Sequence, residues 1–176
     1  MLDPKFKEEL QEIDKLLKES VNNLGNLGQA TYLKIYNFVS HYSNKDEEGE
    51  YLYKYFSGFV DEKSKELSKR LEDKPKSVII DSFVDIANIM DVIIFSLERM
   101  FGYINFYYVR SKNLDKLAKT ALGIYRNNIF LPIQNQLIDL VNQLIKDDRL
   151  GKNQHRAKIN IILNVMKTMD LSSPKI

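Results

Sequence analysis

Apolar residues recur three and four positions apart along almost the whole chain, and the period-two alternation of a half-buried strand is hard to find. Phe6, Leu10, Ile13, Leu17 and Leu24 make one stripe, which predicts a helix from about Pro4. Asp3 suits its N-cap, and Pro4 suits the first helical position, where an N–H would have no partner. Gly25 and Gly28 in NNLGNLGQ are natural stops. A second helix covers about 30–43, ATYLKIYNFVSHYS, and the polar run SNKDEEG over 43–49 reads as a surface loop. A third spans about 49–72, with Glu66 placed to support Arg70 at i,i+4 on a solvated face. Pro75 breaks the chain, and Ser77 starts a very long helix reaching about 110. A fifth begins at Asn113, with Asp115 near its start, and continues to about 147, with Pro132 either kinking it or splitting it in two. DDRLGKN is a turn, and a last helix covers about 153–169. The expected fold class is all-α, an elongated helical bundle of about five to seven helices with short loops and no sheet.

Two of these helices carry more apolar surface than a core needs. At about 100° per residue, Ile35, Phe38, Val39 and Tyr42 of the second helix already form an adequate core stripe. Tyr32, Leu33 and Tyr36 widen the apolar arc to about 220°, roughly twice that of a typical surface helix. Either this helix is central in the bundle, or one flank serves the core and the other a partner. The stretch ERMFGYINFYYVR (98–110) repeats the excess. Ile93, Leu97, Met100, Phe101, Ile104 and Tyr108 gather on one side and make the core. Tyr103 and Phe106 point elsewhere and bracket Arg99 and Arg110. Tyrosine and arginine are enriched at protein interfaces because they bury large area and keep a polar tip. The other reading is packing against a further helix of the same domain.

Composition narrows the chemistry. The 176 residues suit one domain, or one and a fraction of a larger protein. With no cysteine, disulfides and thiol catalysis are excluded and zinc sites disfavoured, which fits a reducing compartment. The 26 basic and 24 acidic residues leave a net charge of +2, so no general electrostatic drive towards nucleic acid or acidic membrane exists. The N-terminus MLDPKFKEEL has no apolar h-region, so no signal peptide is expected. FVDIANIMDVIIFSL (83–97) is interrupted by Asp85 and Asp91, and is read as a buried helix and not a membrane span. His41 and His155 lack metal-spaced companions, and GKN at 151–153 lacks the glycine and the Ser/Thr of a phosphate loop. Asp147 and Asp148 are adjacent helix-end carboxylates that point apart and solvate a turn. The chain is therefore expected to be no enzyme, with no cofactor, no metal and no membrane partner. Residues 142–167 have helix–turn–helix rhythm, with Lys152, Arg156 and Lys158 opening the second helix. They suit either a nucleic-acid contact over 149–158 or an ordinary antiparallel pair with a basic face, and the low net charge favours the second.

Five stretches, in order, resemble the N-terminal part of cullins, the scaffolds of multisubunit ubiquitin ligases. TYLKIYNFVSHYS (31–43) is similar to the family's second helix with its Tyr-x-x-x-Tyr motif, and GEYLYKYFSGFVDEKSKEL (49–67) to the helix after it. MFGYINFYYVR (100–110) resembles the Tyr-Leu/Met-Asn/Asp segment, and ALGIYRNNIF (121–130) the following Leu-x-x-(Phe/Trp)-Arg segment. DDRLGKNQHRAKINIILNVMKTMDL (147–171) resembles the stretch that opens the second cullin repeat. Phe106 stands where many cullins have arginine, Ser40 where they often have tyrosine, and the chain has no tryptophan at all.

The resemblance implies a five-helix cullin repeat over 1–147 and the start of a second, incomplete repeat over 148–176. It implies a non-catalytic scaffold subunit, cytoplasmic or nuclear or both. The expected partner is a BTB/POZ-fold adaptor, the Skp-type or BTB protein that carries the substrate receptor. The adaptor-facing residues expected from the wheel and the resemblance together are Tyr32, Leu33, Tyr36, Tyr103 and Phe106. The RING subunit is not expected to bind here, because the family's C-terminal homology region is not among these residues. A naturally short form would compete with complete cullins for adaptors. The rivals are nucleic-acid binding through 149–158 and a symmetric dimer through the same aromatics.

Overall fold

A computed structural model describes residues 2–20, 27–72, 74–150 and 155–169, and among these every regular element is helical. In chain order they are α1 (Pro4–Ser20), α2 (Gln29–Tyr42), α3 (Asp46–Ser68), α4 (Lys76–Phe101), a π-helical turn at Asn105–Val109, α5 (Arg110–Lys112), α6 (Leu117–Tyr125), a second π turn at Arg126–Phe130, α7 (Leu131–Arg149) and α8 (Arg156–Thr168). The all-α expectation holds.

Helix α1 starts where the sequence places it. The Asp3 carboxylate accepts from the Lys5 N–H at 2.9 Å, supplying an orphan donor of the first turn with a partner. Phe6, Leu10, Ile13 and Leu17 are buried, as their spacing requires. Leu24 and Gly25 lie outside the described residues.

The loop expected over 43–49 shrinks to a turn. Helix α3 begins at Asp46, with Asp46, Glu47 and Glu48 in its first turn. Their carboxylates favour the positive end of the helix dipole, but they are polar, so no apolar stripe announces them. Glu48 also accepts from the Asp3 N–H at 3.1 Å, tying the start of α3 to the start of α1. At the other end α3 stops at Ser68, and the expected Glu66–Arg70 pair gives way to Lys63–Glu66 at 2.6 Å. Lys63 holds the Glu66 carboxyl below its ordinary range.

The long helix also differs. It leaves α geometry after Phe101, widens over Asn105–Val109 and stops at Asn113, which adopts the left-handed conformation at φ 52°. Asparagine tolerates that region because its short side chain bonds locally. The next run starts at Leu117, later than Asn113, and passes through Pro132 without a gap. The turn before Pro132 is π, with the Leu131 N–H donating to Arg126 O five residues back. A proline in α geometry clashes with the carbonyl four residues earlier, and the wider turn gives that carbonyl room.

The chain divides into two compact units, Met1–Asp61 with Asp91–Ala121, and Glu62–Met90 with Leu122–Ile176. In unit 1, α1 packs on α2, and Phe6 meets Phe38 at 5.5 Å and Tyr42 at 5.0 Å. Phe101 meets Phe56 at 5.9 Å and Tyr55 at 6.2 Å. Gly49 passes so close to its neighbours that an added Cβ would stand 3.0 Å from Ser43 O and 3.1 Å from Tyr108. In unit 2, Phe83 meets Phe130 at 6.2 Å, and α7 packs on α8 with Leu137, Val141, Ile159 and Ile162 buried. There Asn128 donates to Ser64 Oγ at 2.7 Å.

Candidate docking surface

Helix α2 divides its apolar arc in two. Ile35, Phe38, Val39 and Tyr42 are buried, and the opposite flank of Tyr32, Leu33 and Tyr36 is not. Leu33 is 43% exposed. The end of the long helix behaves likewise: Ile93, Leu97, Met100, Phe101, Ile104 and Tyr108 are buried, Tyr103 is half-buried and Phe106 is 70% exposed.

The π turn decides which rings face outward. With i→i+5 bonding each residue advances through a smaller angle than in an α-helix. Val109 therefore joins Tyr108 in the core, although a uniform 100° wheel puts it on the far side. Tyr107, at the edge of the core on that wheel, is 47% exposed. Asn105 closes the turn from within: its Oδ1 accepts from the Leu117 N–H at 2.9 Å and so caps α6.

Four of the five expected site residues form one row of rings in unit 1. Tyr32 stacks on Tyr36 at 6.0 Å, Tyr36 tilts against Tyr103 at 5.3 Å, and Tyr103 meets Phe106 at 6.4 Å. Leu33 sits on the same flank of α2 but has no ring contact of its own among those described. The sequence reading missed Tyr107, which stacks on Tyr103 at 6.0 Å. The hydrogen bond between the Tyr36 and Tyr103 hydroxyls pushes the Tyr36 phenol above its ordinary range, with desolvation adding to it. The Tyr36 hydroxyl thus stays protonated at neutral pH and offers a polar tip beside an apolar ring face. Arg99 caps the other end of the row, its guanidinium carbon 5.6 Å from the Tyr32 centroid.

The 83–97 stretch expected to form a buried helix is buried on one side only. Val92 and Phe95 face outward, 44% and 61% exposed, because α4 presents a single apolar face to the core. No described helix is long and apolar enough to cross a membrane. No group of three or more His, Asp or Glu that could hold a metal exists among the described residues.

Two cations of the basic 149–158 segment are paired with carboxylates. Arg156 Nε donates to both carboxylate oxygens of Asp148 at 2.9 and 3.0 Å, and Lys158 pairs with Asp81 at 2.5 Å. Lys152 lies outside the described residues. Phosphates would have to displace these carboxylates before binding, which weakens the nucleic-acid reading.

Residues 7–175 match the family profile described as the cullin alpha solenoid domain. The chain is also similar to Cullin-1 of Oryza sativa subsp. japonica, 22% identical over 142 residues, which is 81% of this chain and 19% of that protein. It thus spans about a fifth of its relative's length. A match that runs through both units, over the same helices whose outward rings resembled the family's motifs, places this chain in the cullin family.

Proposed function

We propose that this region is a non-catalytic scaffold element of a cullin-type ubiquitin ligase. It docks a BTB/POZ-fold adaptor, Skp-type or BTB, through Tyr32, Leu33, Tyr36, Tyr103 and Phe106. The observation that carries the reading is the continuous row of partly exposed rings from Tyr32 to Phe106. Rings already held against one another lose little freedom when a partner covers them, so most of their buried area contributes to affinity. Residues 1–147 form a first repeat in this reading and 148–176 begin a second. The setting is the cytoplasm, the nucleus or both, and the RING subunit binds elsewhere.

Calorimetric titration with a Skp-type adaptor and, separately, a BTB adaptor tests the dock. Tyr36→Ala and Tyr103→Ala should each weaken binding by about 2 kcal/mol or more, the cost expected at a central aromatic anchor. Wild-type affinity in both variants, still folded by circular dichroism, would sink the site. A symmetric dimer through the same rings would instead double the mass seen by light scattering.

A further inference from the structure

The exposed apolar surface of unit 1 continues past the row of rings. Phe95 and Val92 lie one and two turns before Arg99 on α4 and stand open to solvent. With Leu27, Tyr32 and Ser96 they line a recess of about 350 Å³, with Met100 as its buried wall. Arg99 spans it, its guanidinium carbon 5.6 Å from the Tyr32 centroid and 5.5 Å from that of Phe95. No carboxylate pairs with Arg99 among the described residues, nor with Arg110 farther along the same surface. Of the acids of α1, Glu12 is paired with Lys34, and Asp14 with Lys18 and Tyr55.

A guanidinium held between two ring faces is already oriented, so it loses less freedom on pairing than a freely rotating lysine would. Arg99 is exposed, so its N–H donors face solvent. A purely apolar cover would strip that water and leave the donors unsatisfied, at a cost comparable to a lost charged hydrogen bond. The recess therefore selects a partner that brings an apolar group and an anion together.

We propose that this recess belongs to the same dock and takes an acidic–apolar segment of the adaptor. A large apolar side chain seats between Phe95, Val92 and Leu27, and a neighbouring Asp or Glu pairs with Arg99. The inference rests on the adaptor reading above and extends it to α4. It adds Phe95 and Arg99 to the residues that determine which adaptor is accepted.

The test is titration of the wild-type chain, Tyr36→Ala, Phe95→Ala and Arg99→Gln with each adaptor at low and high salt. Both new positions are exposed, so circular dichroism melts should match the wild type. Phe95→Ala should weaken binding about tenfold, the loss expected of a truncated anchor. Arg99→Gln should weaken it severalfold and flatten the dependence of Kd on salt, because the screened charge pair is gone. Wild-type affinity and salt dependence in both variants, with Tyr36→Ala still losing binding, would overturn the recess and leave the adaptor dock standing. A wild-type chain that binds neither adaptor would overturn both.

Discussion

Units 1 and 2 bury the same kind of core and present different surfaces. Ring meets ring in each interior, Phe56 with Phe101 in one and Phe83 with Phe130 in the other. On the described surface of unit 2, the exposed large apolar residues Val78, Leu131 and Leu150 stand apart in sequence, and Lys158 and Arg156 pair with Asp81 and Asp148. Scattered single apolar residues are normal for any soluble surface. Unit 1 gathers Leu33, Val92, Phe95, Phe106 and Tyr107 around a row of stacked tyrosines and leaves Arg99 over two of the rings. Folding alone does not require that concentration. A core calls for one stripe per helix, and the excess on these helices is the surface the proposed adaptor dock covers.

The sharpest way to break this contrast is to exchange roles between rings. Phe130→Ala removes a fully buried ring of unit 2 and should cost about 3–5 kcal/mol in urea unfolding. Phe106→Ala should stay within about 0.5 kcal/mol of wild type, as exposed substitutions do. A large loss at Phe106 would make that ring structural and erase the distinction between the units.

Alkaline unfolding isolates one core ring of unit 1. Burial first, and then Glu9, pushes the Tyr42 phenol up to about 12. The protonated form is thus favoured in the folded state, so this contribution is complete below about pH 10 and fades as pH rises towards about 12. About 2 kcal/mol should be lost at pH 12 relative to pH 9. Tyr42→Phe should flatten that part of the curve, and an unchanged slope would assign the alkaline loss to other groups.

Two smaller effects refine the picture. Asn105→Ala uncaps α6 and should cost about 1 kcal/mol, read as a lowered Tm. Lys158→Gln breaks an exposed pair and should change stability by less than about 1 kcal/mol. It should also leave retention on a nucleic-acid column unchanged, and a marked drop in retention would revive the reading that compensation by Asp81 argues against.

Much of this was legible in the sequence wherever α geometry held. The 100° wheel sorted every named residue of α2 correctly, with Ile35 and Tyr42 inward and Tyr32 and Tyr36 off the core. It failed at Val109 and Tyr107 because no local letter announces the π turn there. The other π turn has Pro132 just behind it, which is a visible cause. Phe95 and Val92 went unread for a different reason: an unbroken apolar run looks buried, and only extending the wheel two turns back from Arg99 shows them facing away from Leu97 and Met100. The early start of α3 was hidden by its own carboxylates, which stabilise a first turn without marking a stripe. Pairing choices such as Lys63 over Arg70 for Glu66 depend on where the helix ends, a boundary that pattern alone places only approximately.

The wide turn over Asn105–Val109 has a consequence for anyone who edits or transplants this helix. A π turn holds an extra residue, so it acts as a gear offset between the part of the helix before it and the part after. Rewinding the same residues into regular α form, with none removed, would swing the downstream side chains by about 100°. Tyr108 and Val109 could not then both keep their places in the interior. A graft that copies these letters onto a regular helix would carry the right residues on the wrong compass bearing.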